Sequence, residues 1–460
     1  GGYRETLNPA TGASLGPCAE ANAQDVDAAV KAAHKAFREW RRVKPLERAA
    51  LMKKVAAAIR AHSEELAMLD AANCGNPVRE MARDVNTAVA QWEFFAGLVT
   101  ELKGDTIPMG EGVVNLSVRE PFGVCARIVA YNHPIMFTAA KAAPAIAAGN
   151  TVIMKPPYQA PLSAYRFVEL IDGILPAGVL NIVTCDKEGS QALVAHPLVP
   201  RVSLIGSVPT GRAIARAAAD RLKHVSLELG GKNACIIYPD ADLEKAAKGA
   251  VGGMNFSWCG QSCGSTSRLF VHESIHDRVV EKILQHIKHH RPGMPTEMDT
   301  TMGAIISRAQ MEKILGYIEI GKKEGATLAC GGKRPDDPRL AGGFFVEPTV
   351  FTGVTQKMRI ASEEIFGPVL SVLKWKDEGE MFEQVNAVEY GLTGSIWTTS
   401  LATAHRAAGR IESGFIWVNG AGPHYLGVSF GGYKQSGIGR EESYEELLSF
   451  TQSKNINITL

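Results

Sequence analysis

The chain has 460 residues, 45% of them hydrophobic, enough for a large core and too long for one ordinary domain, so two or three domains are expected. Lysine plus arginine number 49 and aspartate plus glutamate 48, for a net charge of +1. No basic surplus suggests a nucleic-acid partner, and no charge block suggests a tail. Eight scattered cysteines fit reduced thiols in a cytoplasmic setting better than a secreted disulfide scaffold.

Gly1-Gly2-Tyr3 opens the chain without a basic, apolar leader, so no signal peptide is expected; position 1 is not Met, which leaves room for a trimmed start. The first part reads as helix. Val26, Val30, Ala33 and Phe37 recur at helical spacing behind Asp25, taken as the start signal. A second helix begins near Pro45 and carries Leu51, Val55, Ala58 and Ile59, and a third spans roughly 81–102. From Val124 the pattern becomes short strands alternating with helices: strands at 124–130, 151–154, 180–183, 202–205 and 225–229, and helices at 134–148, 162–174, 191–195 and 211–222. The apolar region 124–154 is interrupted by Arg127, His133, Pro134, Lys141, Pro144 and Asn150. A membrane span needs ~20 nearly unbroken apolar residues, so this is core and no membrane partner is expected. After Gly230 the alternation resumes with strands at 234–238 and 269–271 and helices at 243–256 and 277–289, then loops at 291–300 and 336–343. This order predicts an α/β fold with largely parallel sheets and a seam at Gly230-Gly231.

Three segments carry candidate chemistry. In Phe256-Ser-Trp-Cys-Gly-Gln-Ser-Cys-Gly-Ser-Thr-Ser-Arg268, the small residues Ser262, Gly264 and Ser265 leave Cys263 open to an electrophile. A thiolate is the strongest side-chain nucleophile near neutral pH. The alternative is a buried core thiol. Cys259 raises a metal reading, discounted because no second ligand pair follows, so no metal is expected. Val225-Ser-Leu-Glu-Leu-Gly-Gly-Lys232 places Glu228 in an apolar strand, where burial would raise its pKa toward general-base use; a solvent-facing carboxylate, or one paired with Lys232, is the alternative. Ile205-Gly-Ser-Val-Pro-Thr-Gly211 joins strand to helix, with Gly206 in a tight turn and N–H groups near Gly211 free for a pyrophosphate. Lys155 follows strand 151–154, at the strand end where parallel sheets bind ligands. A Gly-bracketed turn and a solvated lysine are the plain alternatives.

These segments belong to an ordered set: Tyr131-Asn-His-Pro134, Gly149-Asn-Thr-Val-Ile-Met-Lys-Pro156, Gly206-Ser-Val-Pro-Thr-Gly211, Glu228-Leu-Gly-Gly-Lys232, Gly260-Gln-Ser-Cys263, Glu363-Glu-Ile-Phe-Gly-Pro368, Phe430-Gly-Gly-Tyr-Lys-Gln-Ser-Gly437 and Gly439-Arg-Glu441. Over essentially the whole chain it resembles the aldehyde dehydrogenase superfamily, of the NAD(P)-dependent, non-acylating type. The resemblance implies a Rossmann-like cofactor domain (1–103 and 124–229), an α/β catalytic domain (230–449) and a small β oligomerisation bridge (104–123 and 450–460). It implies a homodimer or homotetramer and a small-molecule aldehyde substrate. Cys263 would be the nucleophile, passing through a thiohemiacetal and a thioester. Asn132 with the Cys263 N–H would hold the oxyanion, Glu228 would activate the deacylating water, and Lys141 and Glu441 would relay protons. Glu364 and Phe366 would contact the nicotinamide ribose. Lys155, Gly206, Ser207 and Gly211 would take the adenosine-ribose and pyrophosphate side, with Tyr131 and Leu229 walling the cofactor. The tail alternation Ile456, Ile458, Leu460 suits an intersubunit edge strand.

Three departures bear on specificity. His133 stands where an apolar residue is usual and is expected to be a rim residue or a polar substrate contact. Tyr158 stands where a Glu commonly binds both ribose hydroxyls, so NAD is expected with NADP left open. Ala139 and Ala140 replace bulkier channel residues. Ala140, Ser262 and Gly264, with Met136, Phe137, His424 and Phe430, suggest a roomy pocket for an aromatic or medium-length aldehyde. The helix after Asn132 lacks a cluster of aromatic faces and carboxylates, so a choline-type aldehyde is not expected. A CoA-acylating enzyme, which Glu228 argues against, and a non-catalytic structural descendant are the competing readings. A thiol hydrolase would leave the cofactor segments unexplained.

Overall fold

The computed structural model describes residues 1–460. Its α/β architecture, with two largely parallel sheets, is the one expected. In the first sheet the order is Gly437–Ile438, His224–Glu228, Arg201–Ile205, Val124–Ile128, Thr151–Lys155, Leu180–Ile182. All neighbours run parallel except the first pair. Strands Val124–Ile128, Thr151–Lys155 and Arg201–Ile205 are buried at every position, as parallel strands covered by helices on both faces must be. The second sheet runs Thr327–Cys330, Thr349–Thr352, Val369–Trp375, Arg268–His272, Ala234–Ile237, Thr393–Trp397, Phe415–Val418, with only the first pair antiparallel. Strand Gly437–Ile438 comes from the C-terminal third of the chain yet extends the first sheet by pairing with Leu227 and Glu228.

A third sheet sets Thr106–Pro108, Val113–Pro121 and Thr451–Thr459 side by side, with the C-terminal strand at its edge. Ile456 and Ile458 are 36% and 42% exposed there. No helix is long and apolar enough to cross a membrane.

Local chemistry explains where the elements depart from the sequence reading. Residues 2–20 are not helical: Gly2–Leu7 and Ser14–Glu20 form a hairpin. The first helix is Ala23–Trp40, capped by Asn22, whose side chain accepts from the Gln24 and Asp25 N–H groups while Asp25 bonds back to the Asn22 N–H. Asp25 therefore completes a capping box inside the first turn instead of starting the helix. Ser63–Cys74 is a helix the periodicity did not isolate, and Val78–Gly97 begins directly after Pro77. The region 134–148 is not one helix. It widens into a π-turn at Met136–Ala140 and restarts at Ala143–Ala147, because Pro144 has no N–H to continue the ladder. The Ala139 carbonyl in that turn accepts from Trp92 Nε1 at 2.9 Å. Helix Val208–Ala219 starts three residues before Gly211, capped by Ser207.

Helix Leu243–Gly253 packs on the second sheet so closely that a Cβ on Gly249 would lie 1.9 Å from the Trp397 ring, whereas Gly252 in the same helix faces open space. Gly249→Ala is expected to lower the thermal midpoint, since forced overpacking costs about 1–3 kcal/mol. Gly252→Ala is expected to leave it equal or higher, because the unfolded chain loses freedom. Thermal melts of the two variants beside the wild type check both.

Candidate active site

The site forms where the carboxyl ends of the first sheet meet the amino ends of the second. Glu228 is the last residue of its strand, and Cys263 lies in the turn that leads into Arg268–His272. Two glycines between Glu228 and Ala234 make the junction. A Cβ on Gly231 would sit 2.5 Å from the Cys263 carbonyl, and one on Gly230 2.2 Å from the Glu364 carboxylate. Asn233 fixes the nucleophile turn by donating from Nδ2 to the carbonyls of Cys263 (2.7 Å) and Ser265 (3.0 Å).

Cys263 and Glu228 line one cavity of about 640 Å³, and each acts on the other's ionisation. Burial, followed by the neighbouring Glu228, pushes the thiol well above its usual pKa. Burial also lifts Glu228 well above the carboxylate range, with Glu441 adding to it. Glu228 is 6% exposed and its Oε1 has no hydrogen-bond partner. The solvent-facing alternative is thus overturned, and so is the pairing with Lys232. That lysine is buried without a hydrogen-bond partner, and desolvation drops its pKa to about 7. Cys259 is sealed, its thiol pointing to the Ala304 carbonyl at 3.6 Å.

Behind the cavity lies a buried charge network. Lys141 Nζ is 2.9 Å from Glu441, and Arg127 stands 3.3 Å from both Glu441 and Glu446. Burial works against the Lys141 ammonium, but Glu441, Glu446 and Glu442 together raise its pKa above the usual value. Asn132 sits between strand Val124–Ile128 and the π-turn, 3% exposed, with its carbonyl held by Asn76 Nδ2 at 2.9 Å. Its side-chain amide makes no hydrogen bond within the protein and is not sealed from solvent.

Of the residues expected in the substrate pocket, His133, Met136, Phe137, Ser262, Gly264, His424 and Phe430 line this cavity. Ala140 does not; it is fully buried in the core behind it, because the π-turn carries it away. Sequence reasoning missed Asp84, Trp258, Trp417 and Glu442, which also line it. The one available signal was that Glu80, Asp84 and Gln91 fall on the otherwise apolar face of an amphipathic helix. Aromatic rings and carboxylates do meet here, brought by segments other than the helix after Asn132.

On the cofactor side, Tyr131 and Phe366 meet edge to face at 5.9 Å. Glu364 accepts from the Gly231 N–H at 2.8 Å, and burial raises its pKa. Lys155 is 8% exposed without a hydrogen-bonding partner, and burial lowers its pKa. Gly206 donates to the Glu228 carbonyl at 3.0 Å, and Ser207 caps the helix. Gly211 does something other than expected: its N–H already bonds the Ser207 carbonyl at 2.9 Å, and a Cβ there would clash with Leu229 at 2.7 Å. It lets helix and strand approach, and the free N–H groups lie nearer Ser207. Tyr158 is 40% exposed, with the Arg4 guanidinium 3.6 Å above its ring. Arg4 in turn lies 3.9 Å from Glu20, so the N-terminal hairpin returns a carboxylate to the neighbourhood that lacks one in sequence.

Residues 2–456 match the profile described as the aldehyde dehydrogenase family. The Talaromyces stipitatus protein named aldehyde dehydrogenase tropH is 50% identical over 99% of this chain and 90% of its own length. A betaine aldehyde dehydrogenase of Mesorhizobium japonicum is 42% identical over 98% of this chain and 93% of its own. The NAD+ complex of an aldehyde dehydrogenase from Bacillus cereus superposes with a TM-score of 0.97 at 40% identity, covering 100% of this chain and 94% of the other. The chain belongs to the aldehyde dehydrogenase family.

Proposed function

We propose that the protein oxidises an aldehyde to a carboxylic acid with NAD, using Cys263 as nucleophile, and that it acts on an aromatic or medium-length aldehyde. The observation that carries this reading is the shared cavity: a half-buried thiol beside a buried carboxyl with an unpartnered oxygen. The residues suit the cofactor. Lys155 is nearly buried yet unpartnered, Tyr131 and Phe366 offer flat walls, and the Ser207 helix start offers N–H groups for phosphate. NAD, when bound, supplies the hydride acceptor. NADP is left open by Tyr158, which has both the Arg4 guanidinium and the Glu20 carboxylate beside it.

In the proposed reaction the Cys263 thiol loses its proton toward Glu228, and the sulfur adds to the aldehyde carbon. The oxyanion is held by Asn132 and the Cys263 N–H. Loss of hydride leaves a thioester on Cys263. Glu441 and Lys141 carry the Glu228 proton away. Glu228 then takes a proton from water, whose oxygen attacks the thioester and releases the acid and the thiolate. The two larger sheets would head the cofactor and catalytic domains, and the small sheet with strand Thr451–Thr459 would bridge subunits of a dimer or tetramer. Eight unpaired thiols support a reducing, cytoplasmic compartment.

Cys263→Ala is expected to abolish NADH formation with hexanal and benzaldehyde while NAD still binds, read by fluorescence titration; unchanged rates would overturn the nucleophile. Glu228→Gln is expected to lower steady-state kcat ~10²–10⁴-fold, the span of general-base catalysis, since both thiol activation and deacylation lose their base. Because the Glu228 pKa is raised, its base form appears only above the ordinary glutamate range. The acid limb of kcat should therefore fall at a pH well above ~4.3 in the wild type and be missing in Glu228→Gln. Added CoA is expected to yield no acyl-CoA; its formation would favour the acylating reading.

A further inference from the structure

Two histidines line the cavity, and each is tied at one nitrogen only. His133 Nδ1 lies 2.8 Å from Asp84 Oδ2, and His424 Nδ1 lies 3.0 Å from Glu442 Oε2. Both carboxylates are buried, at 4% and 9% exposure. A carboxylate at Nδ1 fixes the N–H on that side, so the neutral ring carries its lone pair at Nε2. Neither Nε2 meets a protein partner and neither is sealed from solvent, so each ring presents an open acceptor. Both pairs line the same cavity.

The rings around them are flat and apolar. His133 sits 5.1 Å from Phe137 and 5.7 Å from Trp258. His424 stacks on Phe415 at 5.5 Å and 22°, and lies 4.4 Å from Phe430. Its loop is pinned where Trp417 Nε1 donates to the Pro423 carbonyl at 2.9 Å. The charged groups that line the cavity are already engaged: Asp84 and Glu442 are hydrogen-bonded by the histidines, Lys141 pairs with Glu441 at 2.9 Å, and Arg83 with Glu80 at 2.7 Å. Glu228 is the exception, and it stands beside the thiol. No spare cation waits for a substrate carboxylate. Aromatic walls with two open Nε2 acceptors complement a ring that carries a hydroxyl.

We propose that His133 and His424 read a hydroxyl on the substrate, and that the preferred substrate is a hydroxylated aromatic aldehyde. This rests on the oxidation at Cys263 proposed above. The test compares kcat/KM, by NADH formation, for hexanal, benzaldehyde, the three hydroxybenzaldehydes, their methoxy counterparts and betaine aldehyde. The best hydroxybenzaldehyde is expected to exceed its methoxy counterpart by ~10-fold or more, since a polar site left unpaired penalises the analogue that lacks the donor. In His133→Phe or His424→Phe that ratio should fall toward one. His133→Asn and His424→Asn, smaller and polar, serve if the Phe variants misfold, and should lower the ratio less. The pair is overturned if hydroxyl and methoxy substrates are equivalent, if the ratio survives the substitutions, or if betaine aldehyde is the best substrate. Turnover of hexanal with no hydroxyl discrimination would sink the histidine reading alone; no NADH with any aldehyde would sink the oxidation itself.

Discussion

The site depends on two missing side chains. Strand His224–Glu228 hands the chain to the second sheet through Gly230 and Gly231, and both glycines are touched where a Cβ would be. The Glu364 carboxylate occupies one place and the Cys263 carbonyl the other. Any larger residue would push the Cys263 turn away from Glu228 or displace Glu364. Ser436 closes the joint, donating to the Gly230 carbonyl at 2.7 Å and accepting from the Gly391 N–H at 2.9 Å, which links both sheets and the loop after Phe430. The spacing of thiol and base is therefore set by backbone contact, the stiffest kind of contact a protein has.

Around this joint the protein holds an unusual amount of buried charge. Arg127, Lys141, Glu441 and Glu446 are each at most 7% exposed, and they connect the first sheet to the segment after Phe430. Such a cluster is weak evidence for stability, since desolvation consumes much of the attraction. It acts electrostatically, because Glu441 raises the Glu228 pKa while Lys141 lowers it. The resting pair of Glu228 and Cys263 is held neutral by burial, which keeps the thiol from indiscriminate reaction until charge arrives beside it.

Much of the site was legible because its residues come in short runs that need each other locally. Glu228 among Val225, Leu227 and Leu229 points to a buried carboxylate, which the fold bears out, and Gly206-Ser207 to a strand-to-helix turn, whose helix Ser207 caps. What escaped depends on distance in sequence. His133 could not be assigned a role without Asp84, 49 residues earlier, and His424 needed Glu442 across a loop. Ala140 was misplaced because the segment leaves the regular helix as a π-turn at Met136–Ala140, and composition does not reveal that widening. Gly211 looked like a phosphate glycine, yet its contact is with Leu229 on a neighbouring strand. Asn22 against Asp25 is the same lesson at small scale: both are capping residues, and only geometry tells which accepts and which returns the bond.

The C-terminal strand Thr451–Thr459 is paired along one side for nine residues and leaves its other side as a sheet edge. A row of open N–H and C=O groups is a template for any extended chain. While that edge is open, a freshly made chain is exposed to mispairing with other unfinished chains. Its recovery from denaturant would then depend on dilution, with crowded refolding diverting material into aggregates. The polar residues Lys454, Asn455 and Asn457 on the same strand act as gatekeepers that slow this diversion without closing the edge.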